Sequence, residues 1–383
     1  MIDRDFAIDI LQKLVRINSV NPSLEEGGPG EFEVGSFISE VLNSLGVEVI
    51  VDELEPARIN VTGIIKGAAG GRSLMLYAHM DTVGIAGMQD PFSGKVEDGK
   101  LFGRGAFDMK ASIAAIISVA KALKDNNVQL KGDLILAFVA DEEFQSIGAE
   151  DWVKKYRPEA AIVTEPTNLH ICLAHRGLGV FKISTKGKTA HGGNHEAGVD
   201  ANMKMGLVLA ELHKLSEKFK THSPHPLCGR PSLHVPLISG GRSLFIYSNE
   251  CHIWVERRTL PGETAKTVNL EFQEILDRLR ESEPDFEASI QTDLWRSPYE
   301  VDPSKSIVKE LLLAGSNVSS FQEEFIGHTW WEDSAIFGEA GIETVIIGPK
   351  GGGIHEEVEW VELDSAIDLA EILYRTSINY CGQ

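Results

Sequence analysis

The chain has 383 residues, a length that favours two or three domains over one small module. With 43% hydrophobic and 24% charged residues, and Gly 37 plus Pro 15, its composition is globular and excludes collagen-like, coiled-coil and disordered classes. Its 36 basic and 57 acidic residues leave −21, so a nucleic-acid backbone or an anionic membrane is repelled on average, and small molecules, cations or a like subunit are better partners.

The first residues, Met-Ile-Asp-Arg-Asp-Phe, lack a basic-then-apolar leader pattern, and no apolar run approaches the ~20 residues that span a bilayer. The expectation is a cytoplasmic protein that does not engage a membrane. Over 3–15, Phe6, Ile10 and Leu14 recur at helical spacing behind Asp3, which can cap the first turn. A Pro/Gly-rich loop over 21–30 leads to a second amphipathic helix over 31–45, ended by Gly46 before the strand-like 47–51.

Four apolar runs follow, at 74–78, 134–140, 161–163 and 344–347, each patterned as a buried strand of a mainly parallel sheet. Between them the clearest helix is 111–124, with Ile113, Ile116, Ile117, Ala120 and Leu123 on one face. The middle of the chain differs. Strand patterns at 181–185, 244–247, 251–256 and 286–292, with helices over 200–219 and 265–280, spell β-α-β-β-α-β, an α+β unit of the ferredoxin-like kind. The expected organisation is an α/β domain over 1–178 and 295–383, with an inserted α+β domain over 179–294.

Chemistry-bearing residues cluster at the ends of the four apolar runs. These are His79-Met80-Asp81, Asp141-Glu142-Glu143, Glu165-Pro166, and the Gly-rich segment that leads from Gly348 to His355. Open α/β sheets bind ligands at the carboxyl ends of their strands, so these residues can share one crevice. Asp108, just ahead of the 111–124 helix, adds a further carboxylate. The four cysteines, Cys172, Cys228, Cys251 and Cys381, form no CxxC pair, which fits a reducing compartment and leaves imidazole and oxygen as the ligand set. Two imidazoles with several carboxylates suit zinc, cobalt or manganese. In His79-Met80-Asp81 the first and third side chains point the same way along a strand, so Asp81 can orient the imidazole.

His79-Met80-Asp81, Gly103 to Lys110, Glu142-Glu143, Glu165-Pro166-Thr167, Thr189-Ala190-His191-Gly192 and Gly348 to His355 together resemble the landmarks of the M20 metallopeptidases. The likeness is to the branch of acetylornithine deacetylase and succinyl-diaminopimelate desuccinylase, and it runs in order along nearly the whole chain. It implies a mainly parallel-sheet catalytic domain of the zinc-peptidase type, with an inserted ferredoxin-like lid and dimerisation domain. It further implies two divalent metal ions, zinc first and cobalt or manganese as alternatives. Asp108 would bridge them, His79 and Glu165 would complete one, and Glu143 and His355 the other. Glu142 would be the general base acting on a metal-bridging hydroxide, and Asp81 would support His79. A cis peptide is expected after Asp108. His191 would donate to the oxyanion across a homodimer interface, and Arg258 would hold a substrate carboxylate, a task its guanidinium fork suits.

The implied reaction is hydrolysis of the linear amide of an N-acyl amino acid, and the implied substrate a small, anionic acyl-amino acid or dipeptide. A dipeptidase or carboxypeptidase of the same family is the nearest alternative, and a catalytically silent binding protein with this fold is the alternative of another class. Two departures bear on the substrate. Phe245 stands where many relatives carry Asn, and Trp330 and Trp331 are adjacent just before Glu332-Asp333. The pocket is therefore expected to accept a larger or aromatic acyl or amine group.

Overall fold

A computed structural model of the chain describes residues 2–382, which form two compact units. One unit holds the chain up to Leu173, Val301–Ile326 and everything from Glu332 onward; the other holds Ala174–Glu300 and Gly327–Trp331. The fold is mixed α/β with one large mixed sheet and separate antiparallel sheets.

In the first unit the strand order is Glu48–Glu55, Arg58–Ile65, Leu134–Val139, Leu74–His79, Ala160–Val163, Glu343–Ile346 and Ile171–His175. The four apolar runs are the parallel heart of this sheet, with Leu74 opposite both Leu134 and Ala160, and Val345 opposite Ile162. The strands outside them pair antiparallel. Leu74–His79, Leu134–Val139 and Ala160–Val163 are buried at every residue, because helices cover both faces of such a sheet.

The first helix, Arg4–Arg16, starts where Asp3 accepts the Phe6 amide at 3.1 Å. The second spans Phe32–Ser44, and Gly46 follows at φ 79. Ala111–Asp125 was patterned for a single apolar face but is buried nearly all round, since both Arg4–Arg16 and Leu363–Cys381 pack against it. A small sheet of Lys95–Glu97, Lys100–Phe102, Trp360–Glu362 and Gly351–Gly352 ties the segment before Asp108 to the segment around His355. No described helix is long and apolar enough to cross a membrane.

The second unit has the expected β-α-β-β-α-β order, with helices Ala201–Thr221 and Ala265–Ser282 on an antiparallel sheet ordered Ser232–Gly240, Glu250–Thr259, Gly177–Lys186, Glu287–Arg296. One strand lies elsewhere than expected. Residues 244–247 are not a strand; Leu244 and Phe245 are 93% and 73% exposed. The strand is Ser232–Gly240, whose pattern is broken by Pro236 where the register shifts between His234 and Leu237. Proline is tolerated there because the strand is at the sheet edge and bulged.

Candidate metal centre

The carboxyl ends of the parallel strands converge in the first unit, as strand polarity requires. His79 ends its strand, Glu165 follows Ala160–Val163 by two residues, and Glu142 and Glu143 follow Leu134–Val139. Asp108 sits in the short turn Ala106–Lys110 ahead of the Ala111 helix, and the Asp108-Met109 peptide is cis. His355 has φ 61 and Asp141 φ 71, left-handed positions of the kind that gather at functional sites.

These side chains form two groups that share Asp108: His79, Asp108 and Glu165, and Asp108, Glu143 and His355, with the ligand atoms of each within 4.8 Å of one another. His79 Nε2 lies 3.1 Å from Asp108 Oδ1 and 3.6 Å from Glu165 Oε1. His355 Nε2 lies 3.3 Å from Asp108 Oδ2 and 3.1 Å from Glu143 Oε2. Each carboxylate oxygen of Asp108 thus faces a different imidazole.

The tautomer of His79 follows from its other nitrogen. Nδ1 lies 3.0 Å from the Asp81 carbonyl, which can only accept, so Nδ1 carries a proton and Nε2 is the nitrogen that would offer a lone pair to a metal ion. The Asp81 carboxylate, in turn, accepts the backbone N–H groups of Glu142 at 3.1 Å and Glu143 at 3.2 Å.

Electrostatically the cluster is short of positive charge. Burial and the charge of Glu165 hold the Glu142 carboxyl well above the usual range, and burial with Asp108 does the same to Glu165. Burial and Asp108 also raise Glu143, against the hydrogen bond from His355. Burial pulls His79 down, but its bonds to Asp108 and Asp81 outweigh that and leave it well above normal. Hydrogen bonds to Asp108 and Glu143 lift His355 to about 10. Protons therefore collect where a low-dielectric pocket gathers carboxylates, and divalent cations would displace them. Hard oxygen and borderline imidazole donors in two triads, one carboxylate facing both, fit a pair of such ions.

Glu142 belongs to neither triad. Arg258 and His191 belong to the second unit. Arg258 Nε donates to Glu256 Oε1 at 2.6 Å, and the exposed His191 accepts the Gly193 amide at 3.1 Å through Nδ1. Trp331 is packed, its indole donating to the Ser297 carbonyl at 3.1 Å beneath the Arg296 guanidinium, whereas Trp330 stacks on His328 and stays partly exposed.

Glu359 escaped the reading of the sequence. Its Oε1 accepts the backbone N–H groups of Phe107 at 2.9 Å and Asp108 at 3.0 Å, and its Oε2 accepts Gly105 N at 3.0 Å and Arg104 Nη1 at 2.6 Å. One buried carboxylate thus holds the whole turn that carries Asp108. Its place four residues after His355 set it near the centre but did not distinguish it from Glu356 and Glu357.

Residues 75–379 match the family model described as Peptidase family M20/M25/M40. The chain is 27% identical over 381 residues to the N-formyl-4-amino-5-aminomethyl-2-methylpyrimidine deformylase of Bacillus subtilis (strain 168), covering 91% of this chain and 89% of that protein. It is 28% identical over 345 residues to the acetylornithine deacetylase of Myxococcus xanthus, covering 87% of each. The solved structure of aminopeptidase PepT from Bacillus cereus superposes with a TM-score of 0.80 over 98% of both chains at 18% identity, a likeness of fold.

Proposed function

The chain belongs to peptidase family M20/M25/M40, hydrolases of amide bonds, and within it we propose a two-metal amidohydrolase that removes the acyl group of an N-acyl amino acid or related small amine. The observation that carries the reading is the shared carboxylate. Asp108 presents one oxygen to each triad, and Glu142 stands beside them uncommitted.

Two bound divalent cations would polarise the amide carbonyl and lower the pKa of an attacking water. His79, Asp108 and Glu165 would hold one and Asp108, Glu143 and His355 the other; zinc suits the donors, and cobalt or manganese are alternatives. Glu142, with a pKa raised by its buried surroundings, takes a proton from water and delivers it to the leaving amine nitrogen. Asp81 keeps the His79 proton on Nδ1. In this reading 179–294 is a lid and dimerisation domain, His191 donates to the oxyanion from a second copy of the chain, and Arg258 anchors a substrate carboxylate by exchanging its bond to Glu256.

Both curated relatives carry names that describe removal of a short acyl group, formyl or acetyl, from an amine, which favours deacylation over dipeptide cleavage. The deformylase is named for an aminopyrimidine, and the partly exposed Trp330 supports a larger or aromatic group on one side of the scissile bond. The test is turnover of a panel of N-formyl, N-acetyl, N-succinyl and aromatic-acyl amines, with dipeptides beside them, by zinc- and cobalt-loaded protein. Activity should vanish with a chelator and return with metal. Glu142→Ala should lose about 10²- to 10⁴-fold in kcat while retaining its metals. Undiminished turnover in that variant would remove Glu142 from the mechanism, and preference for dipeptides would replace deacylation with peptidase activity.

A further inference from the structure

Behind the two triads, a line of buried polar side chains leads away from Asp81 to residues that touch no candidate metal. Asn21 Nδ2 donates to Asp81 Oδ2 at 2.8 Å and to Asp141 Oδ1 at 2.9 Å. The orientation of that amide is set by its own oxygen, which accepts the Ser23 N–H at 2.9 Å. Arg58 Nη2 donates to the same Asp141 oxygen at 2.6 Å, and Arg58 is gripped from its other side by Glu31, Nε to Oε2 at 2.7 Å and Nη2 to Oε1 at 2.9 Å. Asp81, Asn21, Asp141, Arg58 and Glu31 are all at most 4% exposed.

Asp81 and Asp141, the near end and the middle of this line, meet the loop that carries Glu142 and Glu143. Asp81 takes the amides of those two residues, while Asp141 Oδ2 takes the amides of Gln145 at 3.2 Å and Ile147 at 3.4 Å. Asp141 and Ser146, both at positive φ, turn the chain so that these four amides point inward at two carboxylates. The two carboxylates would repel each other across a low-dielectric interior; Asn21 bridges them and Arg58 supplies the nearby positive charge. A buried ionic network is an uneconomical way to stabilise a fold, since well-packed apolar groups commonly do as well or better. Its Asp81 end, on the backbone amides of the Glu142-Glu143 pair, indicates a different use.

We propose that Asn21 and Arg58 are positioning residues for the hydrolysis. Asn21 locks Asp81 to Asp141, Arg58 fixes Asp141, and together they hold the 141–147 loop so that Glu143 faces the metal triad while Glu142 stays free of it. This rests on Glu142 being the base, and the experiment separates the two ideas. Asn21→Ala, Arg58→Met and Arg58→Lys are prepared in the full chain. For each, zinc affinity is measured by chelator competition, amide hydrogen exchange is followed over 141–147, and kcat and KM are determined on the panel substrate that turns over.

Asn21→Ala should weaken zinc binding about 10- to 100-fold, speed exchange in 141–147, and lower kcat about as much with KM within about threefold. Arg58→Met should do the same, and Arg58→Lys should recover part of it, because a cation again faces Asp141. Unchanged zinc affinity and loop exchange in Asn21→Ala would overturn the proposal, even if its melting temperature fell. That variant decides the matter alone if Arg58→Met does not fold. Should Glu142→Ala keep full activity, the base assignment fails, yet the zinc and exchange readouts still test the positioning of Glu143.

Discussion

At the scale of single residues, the centre collects charges that a protein interior does not hold without compensation. Lys110 shows the cost. It is almost fully buried, with Nζ donating to the Ile17 carbonyl at 2.7 Å, and burial lowers its pKa from 10.5 to about 7 against the pull of Glu359. The unfolded chain keeps its proton up to 10.5 while the folded one releases it near 7, so between those limits the unfolded state binds more protons and this residue's contribution to stability rises with pH. Melting temperatures of chelator-treated protein should therefore climb more between pH 7 and 10 in the native chain than in Lys110→Met. Parallel curves would show that Lys110 is already charged and solvated in the fold. His79, Asp81 and Glu165 could be recognised in the sequence because each follows a buried strand closely. Glu359 could not, since Glu356, Glu357 and Glu359 are alike by type and only folding brings one of them to the amides of Gly105, Phe107 and Asp108.

At the scale of elements, parallel strand ends must come close to bring their loops together, and that closeness restricts the residues between them. A Cβ on Gly348 would lie 2.0 Å from the Glu165 carbonyl oxygen and 2.6 Å from its carbon, both backbone atoms that cannot swing aside. Gly348→Ala should push the segment after Glu343–Ile346 away from Glu165. The expected result is at least about tenfold weaker zinc binding, by analogy with disturbed ligand support, and a lower melting temperature. Normal zinc affinity would mean that the two segments move together. The parallel strands were legible because continuous burial makes continuous apolar runs. The edge strand Ser232–Gly240 was not, because exposure and Pro236 break its alternation, while the apolar 244–247 imitated a strand but makes only an isolated bridge, Ile246 opposite His191, and joins no sheet.

At the scale of the whole molecule, the edge strand poses a question of partners. Leu237 and Ile238 are 61% and 60% exposed on a strand with one unpaired side, an arrangement prone to pairing with another chain. If a second copy covers it and lends His191 to catalysis, Leu237→Asp with Ile238→Asp should yield monomers by light scattering. Those monomers should lose most of their turnover while binding zinc as before. Dimers that persist, or fully active monomers, would remove the interface from the mechanism. The charge of −21 reads differently at this scale: the acidic residues of the centre are few among 57, so the excess is mainly surface, and bound cations would make the site locally positive toward an anionic substrate.

The sequence by itself determined the α/β frame, the inserted β-α-β-β-α-β unit and the ligand types, because strand burial, helix periodicity and the chemistry of strand ends are local properties of the chain. Only the tertiary structure decided which oxygen of Asp108 faces which imidazole, that Glu359 holds the Asp108 turn, and that Asn21 and Arg58 stand behind Asp81 and Asp141. Those partners lie 29 to 251 residues apart along the chain. Hydrogen bonds at such separations have no period and no composition, and exist only once the strands have brought their ends together.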